Sequence, residues 1–335
     1  MPIKPPRLNY GDTIAVIAPA SAPPDPKAVD RSVAALERLG FKPKLSPNVR
    51  KRWGFLAGTD RERAGDLMKM FTDPKVNAIL CLRGGYGTAR LLPLLDYPAI
   101  RAHPKIFIGY SDITSLHCAF LVRSNLVSFH GPMLNSDFIK DNLPAFTLQS
   151  FLRTLMHPAA PGSIFGSAKS EVGRTRSVPR TSPFSPCPSP PTILRPGRAS
   201  GPLIGGNLSI LCTTLGTPFQ PSFKNSILFL EDLAEVPYRF DRMLTHLLNA
   251  GLVQQVAGVA IGINKDCRDP KAKTAREYRQ TLEDVFKERL LPLKVPVVTG
   301  LPFGHIRLNA TLPVGILATL DAVNGDLLIA EPAVR

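Results

Sequence analysis

No stretch of this chain approaches the roughly 18 to 20 consecutive apolar residues that a membrane-spanning helix needs. The first residues also lack the apolar core of a secretory signal, so we expect a cytoplasmic protein without membrane contact. Cysteine is scarce as well. Its five residues lie far apart and are odd in number, which fits neither a disulfide framework nor the spacing of a zinc site. The sequence therefore predicts inert thiols and no metal.

Acidic residues are also in short supply, since 26 of them stand against 41 lysines and arginines, for a formal net charge of +15. Such an excess is typical of nucleic-acid-binding proteins. Here, however, one conspicuous basic block lies between Lys169 and Arg198, and the other basic residues are scattered without the interleaved aromatic side chains of a base-stacking surface. We interpret the excess as solvated charge and predict no nucleic-acid partner.

What the chain does have is the length and alternating pattern of a two-domain α/β enzyme. It contains 335 residues, of which 44% are hydrophobic, and this suffices for two packed domains. Alternating strands and helices predict a doubly wound, flavodoxin- or Rossmann-like domain over residues 1–160 and a second α/β domain over residues 201–335. In the first domain, strands are predicted at 13–19, 77–82, 105–110 and 126–129, and helices at 27–39, at 60–71 and from residue 112 onward.

The segment between the two predicted domains differs in composition. From about Gly166 to Pro196 the chain is rich in Ser, Pro, Thr and Arg and has no hydrophobic periodicity. We interpret residues 161–200 as a linker that is irregular or mobile, because so few apolar side chains cannot offset the entropy of ordering it. We expect trypsin to cleave this linker first, at Arg174, Arg176 and Arg180.

Ser111 is the candidate nucleophile. An apolar run breaks at Gly109 and gives way directly to a helical pattern at Asp112. A sharp strand-to-helix turn of this kind holds a serine hydroxyl at the carboxyl edge of a sheet, close to the first N–H groups and the positive end of the helix. The alternative for a serine in this place is an ordinary helix N-cap.

A carboxylate and an imidazole for the same chemistry follow later in the chain. Glu231 directly follows an apolar run, with Asp232 and Glu235 as competing acids. His305 lies among proline and glycine residues that indicate an exposed turn, which suits a base that must reach a nucleophile. His130 is the rival base, but we interpret it as a structural or cleft-lining residue. A serine, an acid and a histidine in this order favour acyl transfer.

The glycine-rich loop Leu82–Gly87 follows a predicted strand. Because Gly85 has no Cβ, the backbone there can approach a substrate closely, and its N–H together with that of Asp112 would supply the two donors of an oxyanion hole. The other interpretation, a phosphate-binding loop, is disfavoured because the G-x-G-x-x-G spacing and a Walker lysine are both lacking.

A series of short motifs resembles the LD-carboxypeptidase family of serine peptidases, and the resemblance covers nearly the whole chain outside the linker. These motifs are, in chain order, Gly11–Ala20, Leu82–Gly87, Ile108–Thr114, Phe129–Pro132, Gly205–Leu208, Leu230–Leu233 and Phe303–His305. The resemblance implies a triad of Ser111, Glu231 and His305. Since Ser111 belongs to the first predicted domain and the other two to the second, the active site is predicted in the cleft between the domains.

The resemblance also implies an activity. The expected enzyme is a serine LD-carboxypeptidase, without metal or organic cofactor, that releases the terminal D-Ala of murein tetrapeptides in cytoplasmic cell-wall recycling, and the expected assembly is a homodimer. Two alternatives stay open. One is the microcin-immunity branch of the family, which cleaves a peptidyl or aminoacyl nucleotide. The other is a catalytically silent protein that binds muropeptides.

A carboxypeptidase must also hold the free carboxylate of its substrate, and bidentate pairing favours arginine for this task. Arg83, Arg239 and Arg307 are the cations nearest in sequence to the predicted site elements. Each could instead take part in a surface or interdomain ion pair. Tyr86 and His130 complete the predicted set of substrate-binding residues.

Overall fold

The computed structural model describes residues 2–140, 143–166, 190–268 and 280–335.

The first of two sheets has the carboxyl end of its strand β4 next to the turn that contains Ser111. Five parallel strands of this sheet lie in the order β2-β1-β3-β4-β5, the order of a flavodoxin-like doubly wound sheet. They are β1 (Thr13–Ile17), β2 (Lys42–Leu45), β3 (Ala78–Cys81), β4 (Ile106–Gly109) and β5 (Ser128–His130). The predicted fold class is confirmed.

The central strands of this sheet are buried on both faces. In β1, Ile14 and Val16 pack into one hydrophobic cluster, while Ala15 and Ile17 pack into another. Parallel strands covered on both sides read as continuous apolar runs rather than alternating ones. This is why β1, β3, β4 and β5 could be predicted to within two residues at either end, whereas the partly exposed edge strand β2 was not predicted.

Helices cover both faces of the first sheet. α1 (Ala28–Arg38) and α5 (Ala145–Met156) contribute to the cluster that also contains the second sheet, and α2 (Asp60–Thr72), α3 (Tyr97–Ala102) and α4 (Thr114–Ala119) cover the opposite face. α2 begins with a capping box between Thr59 and Glu62. Within the ranges given above, no helix has the length and apolar character that crossing a bilayer requires.

The second sheet is mixed. Its order is β6-β14-β13-β8-β9-β10-β11-β7, with β8 to β11 parallel and the outer pairs antiparallel. α6 (Leu208–Cys212), α7 (Pro237–Asn249) and α8 (Leu282–Leu290) cover its outer face. The strands of this part of the chain are β6 (Gly162–Ser163), β7 (Thr192–Arg195), β8 (Arg198–Asn207), β9 (Ile227–Glu231), β10 (Gly258–Gly262), β11 (Val297–Leu301), β12 (Leu312–Val314), β13 (Leu317–Asp321) and β14 (Asp326–Ile329).

One strand from the C-terminal part returns to the first sheet. β12 pairs antiparallel with β5, with Leu312 opposite His130, before the chain re-enters the second sheet as β13. The two sheets also share one hydrophobic cluster, in which Ile108 and Phe129 of the first belong with Phe229 of the second. The chain between β11 and β12, which contains His305, therefore runs from one sheet to the other.

The structure differs from the sequence analysis at the predicted linker. β6 and β7 lie within residues 161–200, and β7 pairs antiparallel with β11 where an irregular segment was expected. Strands of two and four residues are too short to produce a readable periodicity. Residues 167–189, with the predicted cleavage sites at Arg174, Arg176 and Arg180, lie outside the described residues. The domain boundaries at 160 and 200 remain predictions.

Gly205 and Gly206 do not form a turn, although two consecutive glycines in a sequence often mark one. They are instead the end of β8, paired in parallel with Phe229 and Leu230 of β9. A Cβ on Gly205 would lie 1.8 Å from the carbonyl oxygen of Phe229, and one on Gly206 would lie 2.6 Å from Thr114. Close backbone approach, and not a reversal of direction, is the reason for the glycines.

We expect Gly205→Ala to lower the free energy of unfolding by at least about 2 kcal/mol, because the new Cβ meets a backbone oxygen and the φ of +146° is strained for alanine. The matched control is Gly65→Ala in α2, where a Cβ meets nothing within 4 Å and the helix should gain up to about 1 kcal/mol. Denaturant unfolding of both variants measures the difference. A Gly205→Ala protein as stable as wild type would contradict this packing.

Candidate active site

Ser111 sits on a strained turn between β4 and α4. Its φ is +65°, in the left-handed region, and a 3-10 turn over Ser111–Ile113 leads directly into the helix. Such a conformation in a residue with a side chain costs of order 1–3 kcal/mol and is found most often at functional sites. The glycine loop lies directly against it, since a Cβ on Gly84 would come within 3.0 Å of the Ser111 Cβ. This is the geometry of a nucleophile elbow.

A buried histidine holds this turn from behind. His117 Nε2 lies 2.8 Å from the carbonyl oxygen of Gly109, and Nδ1 lies 2.8 Å from Ser128 Oγ. A carbonyl can only accept, so Nε2 carries the proton and Nδ1 accepts from the serine hydroxyl. Burial lowers the pKa of His117 to about 4, which keeps the ring neutral. His117 therefore acts in the structure of the turn, a role that its sequence position did not reveal.

The glycine loop is fastened to the sheet on both sides of Gly85. Tyr86 N–H donates to Ser21 Oγ at 3.2 Å, and Ser21 N–H donates to the Gly84 carbonyl at 3.4 Å. Gly85 has a φ of +111°, and a Cβ there would lie 2.6 Å from Ser21 Oγ. Only glycine fits this position without strain. Gly85 and Ser111 line the same cleft.

The backbone N–H of Asp112 is the second predicted oxyanion donor. The side chain of Asp112 has a different, structural role. Its carboxylate accepts the Thr88 N–H at 2.9 Å and so ties the end of the glycine loop to the turn that carries Ser111. Burial raises the pKa of Asp112, although the hydrogen bonds from Thr88 act in the opposite direction. The oxyanion role of the Asp112 and Gly85 N–H groups stays a prediction.

Glu231, at the end of β9, and His305, in the loop after β11, form a buried pair. His305 Nδ1 lies 2.7 Å from Glu231 Oε2, and the glutamate side chain has no exposed surface. Glycine is required beside them, because a Cβ on Gly304 would lie 2.8 Å from the same carboxylate oxygen. The loop after β11 can therefore press its backbone onto the end of β9.

The electrostatics of this pair favour a basic imidazole. Burial by itself opposes the charged form of His305, but the hydrogen bond and the negative charge of Glu231, helped by Asp232 and Asp137, outweigh it and raise the pKa of His305. Tyr110 fixes the ring from another side, in an edge-on contact with centroids 4.9 Å apart. The imidazole is 13% exposed and lines the cleft.

Of the three acids that compete in the sequence, only Glu231 contacts the imidazole. Asp232 points elsewhere: it accepts the Asn207 side-chain amide at 2.9 Å, the Ser209 N–H at 2.9 Å and the Ser209 hydroxyl at 2.7 Å. Glu235 lines the cleft and pairs with Arg239 at 3.3 Å.

Asn207 is a site residue that sequence reasoning quoted within a motif but did not assign. Its amide donates to Asp232 and, at 3.4 Å, to Glu231, while its side-chain oxygen caps α6 by accepting the Ile210 N–H. Its backbone N–H donates to Thr114 Oγ1 of α4 at 3.0 Å. It thus joins the acid end of β9 to the helix behind Ser111. The two glycines before Asn207 indicate an unusual backbone at this point, but no pattern in the sequence reveals which residues Asn207 contacts.

The cleft has two arms that meet at His305, Tyr110, Ser136 and Leu233. The first, here called the serine arm, has a volume of about 380 Å³ and contains Ser111. The second, here called the cationic arm, has a volume of about 230 Å³. The further residues of the serine arm are Arg83, Gly84, Gly85, Met133, Asn207, Ser209, Ile210, Asp232 and Glu235, and those of the cationic arm are Asp137, Lys140, Leu143, Pro144, Lys265, Ile306 and Arg307.

The predicted substrate-binding residues divide accordingly. Arg83 lines the serine arm and Arg307 the cationic arm. Arg239 and Tyr86 line neither arm: Arg239 is exposed in its ion pair with Glu235, and Tyr86 is an exposed ring that packs edge-on against Phe55.

His130 requires a correction. It is fully buried, packs edge-on against Phe229 with ring centroids 5.3 Å apart, and lines neither arm. Burial lowers its pKa well below the usual range, so the ring is neutral. It can neither contact a substrate in the cleft nor serve as the rival base. One of its ring partners, Phe229, comes from the second sheet and could not be foreseen from the segment around His130.

Comparisons with known proteins agree with this architecture. The family model for the LD-carboxypeptidase N-terminal domain matches residues 14–131, and the model for the C-terminal domain of the same family matches residues 200–320. The probable murein peptide carboxypeptidase of Bacillus subtilis is 39% identical over 97% of this chain and 94% of its own length.

Two solved structures are also similar. The muramoyltetrapeptide carboxypeptidase of Oxalobacter formigenes superimposes with a TM-score of 0.78 at 31% identity, over 96% of this chain and 99% of that one. The microcin C7 self-immunity protein MccF in complex with aspartyl sulfamoyl adenosine gives a TM-score of 0.82 at 27% identity, over 100% of both chains.

The geometry predicts how the His305 imidazole titrates. In NMR titration we expect its pKa above the usual value of about 6.5, so that protonation is lost only as the pH rises past that value. Glu231→Gln should lower this pKa below 6.5, because burial is then opposed only by the smaller effects of Asp232 and Asp137. Asp232→Asn, the adjacent control, should lower it less. A larger drop in Asp232→Asn would show that the acid has been assigned to the wrong residue.

Proposed function

The chain belongs to the LD-carboxypeptidase family, whose members are serine-type hydrolases, and we propose that it releases the terminal D-Ala of murein tetrapeptides. The observation that carries the proposal is the 2.7 Å contact between the buried Glu231 and His305, in a cleft that also holds Ser111 on its strained turn. A nucleophile, an acid and a base with these environments are what acyl transfer needs.

In the proposed reaction, His305 accepts the Ser111 proton while Oγ attacks the carbonyl carbon at the L-centre of the diamino acid. The resulting imidazolium is stabilised by Glu231, which also fixes the ring so that Nε2 faces the reacting atoms. Imidazolium then protonates the amine of D-Ala, which leaves, and an ester of Ser111 remains. Water, deprotonated by His305, hydrolyses the ester and restores the serine hydroxyl.

The tetrahedral intermediate carries a negative oxygen that needs donors. The N–H groups of Gly85 and Asp112 are proposed to supply them, since the glycine loop is packed against Ser111 and held there by Ser21 and Thr88. Donors fixed in advance need no reorganisation during the reaction, which is why such sites are effective.

A nucleotide substrate, as in the bound ligand of MccF, is the second candidate. A murein peptide is favoured by the higher identity to the muramoyltetrapeptide carboxypeptidase of Oxalobacter formigenes, at 31% against 27% for MccF in the structural superpositions. The lining of the cleft points the same way. Among the described residues, its aromatic rings are Tyr110 and His305, which contact each other edge-on and leave no flat platform for a base.

A catalytically silent muropeptide-binding protein is less well supported. Binding alone gives no reason to keep Ser111 in a strained left-handed conformation or to bury a glutamate under an imidazole, both of which cost free energy. We further propose that the enzyme acts in cytoplasmic cell-wall recycling and forms a homodimer, both as the family resemblance implies.

An assay of murein tetrapeptide with mass detection of free D-Ala tests the function. We expect turnover by wild type and a loss on the order of 10⁴-fold or more in Ser111→Ala, since the nucleophile is removed. Ser136→Ala, the control hydroxyl of the same cleft, should keep most of the activity. Aspartyl sulfamoyl adenosine in a parallel assay distinguishes the nucleotide alternative. Binding of tetrapeptide by wild type without any release of D-Ala would exclude the proposal in favour of a silent binder.

A further inference from the structure

The two arms of the cleft differ in charge, and the difference lies across His305. The cationic arm presents three basic side chains, Lys140, Lys265 and Arg307, against the single acid Asp137. The serine arm presents one basic side chain, Arg83, against two acids, Asp232 and Glu235. Since Arg239 compensates Glu235, the serine arm has no excess of basic side chains, and a negative group of a ligand is stabilised better in the cationic arm.

The acid of the cationic arm does not neutralise it. Asp137 is 8% exposed and its carboxylate is held in the wall by the Met133 N–H at 2.9 Å. Burial raises its pKa to about 6, and even when Asp137 is ionised the three basic side chains outnumber it and leave the arm positive. In contrast, the two lysines are exposed, and neither makes an ion pair with any residue that the structure describes. They are available to an external anion.

The reaction itself assigns one arm to each half of the substrate. Ser111 lines only the serine arm, so the acyl group that becomes bonded to it must occupy that arm. His305 lines both arms, and its Nε2 must reach both Ser111 Oγ and the departing amine, so the leaving amino acid lies beside the imidazole where the two arms meet. In a C-terminal amino acid the carboxylate is separated from that amine by a single carbon, so it lies close enough to this junction to enter the cationic arm, where the basic side chains are.

We propose that Lys140, Lys265 and Arg307 form the subsite that recognises the free carboxylate of the leaving amino acid. This inference rests on the proposed function. It refines the sequence prediction for the three arginines. Arg307 is joined by two lysines, and Arg83 is assigned to the acyl half of the substrate. Arg239 is excluded because it lines neither arm and is paired with Glu235. It also explains why the enzyme would act at a chain end: an internal peptide bond offers these cations no negative charge.

The test compares cleavage of the tetrapeptide with cleavage of its C-terminal amide, in the wild-type protein and in K265Q, R307Q and the K265Q/R307Q double variant. Wild type should prefer the free acid by about 10- to 100-fold in kcat/KM, the range expected for charge-assisted contacts. The double variant should lose most of this preference because its kcat/KM on the free acid falls. Its rate on the amide should stay near that of wild type, which shows in the same sample that the protein is folded and the triad intact.

K224Q, which removes an exposed lysine outside both arms, is the matched control and should keep the full preference. An acid preference that survives in the double variant, or wild-type cleavage of acid and amide at equal rates, would overturn the subsite while leaving the proposed function standing. Cleavage of neither peptide by wild type would instead refute the proposed function, and the subsite with it.

Discussion

A carboxylate without exposed surface must be paired, and the pairing of Glu231 with His305 organises the cleft. Taking an ionised carboxylate out of water costs several kcal/mol unless partners compensate for the lost hydration. The imidazole at 2.7 Å and the Asn207 amide at 3.4 Å are those partners. The same interaction raises the pKa of His305 against the effect of its burial, so the requirement to satisfy a buried charge also produces a base.

Close backbone packing makes this arrangement possible on every side. Gly304 lets the loop after β11 lie on the carboxylate, Gly84 lets the glycine loop lie on Ser111, and Gly206 lets β8 approach Thr114 behind the nucleophile. A side chain at any of these positions would meet an atom at 3.0 Å or less. The strain at Ser111 is sustained by this packing and by His117, which is hydrogen-bonded to the Gly109 carbonyl at the end of β4.

The sequence was most informative where one local pattern decides the structure. Continuous apolar runs predicted the buried parallel strands, and the break after Gly109 predicted the turn that carries Ser111. It was least informative where the deciding partner is distant in the chain. The burial of His130 depends on Phe229, and the roles of Asn207 depend on Asp232 and Thr114. The charge of the cationic arm depends on side chains from three separate loops. Short edge strands such as β7 and β12 carry too few residues to show a period.

The central claim is that Ser111, on the first sheet, is activated by His305 and Glu231 from the second. Reaction with a fluorophosphonate probe, followed by mass spectrometry of the intact protein and its peptides, tests this most directly because it needs no substrate. The account predicts a single adduct on Ser111, formed at a rate that falls by orders of magnitude in both His305→Ala and Glu231→Gln. An adduct on another serine, or labelling of Ser111 at an unchanged rate in those variants, would contradict it.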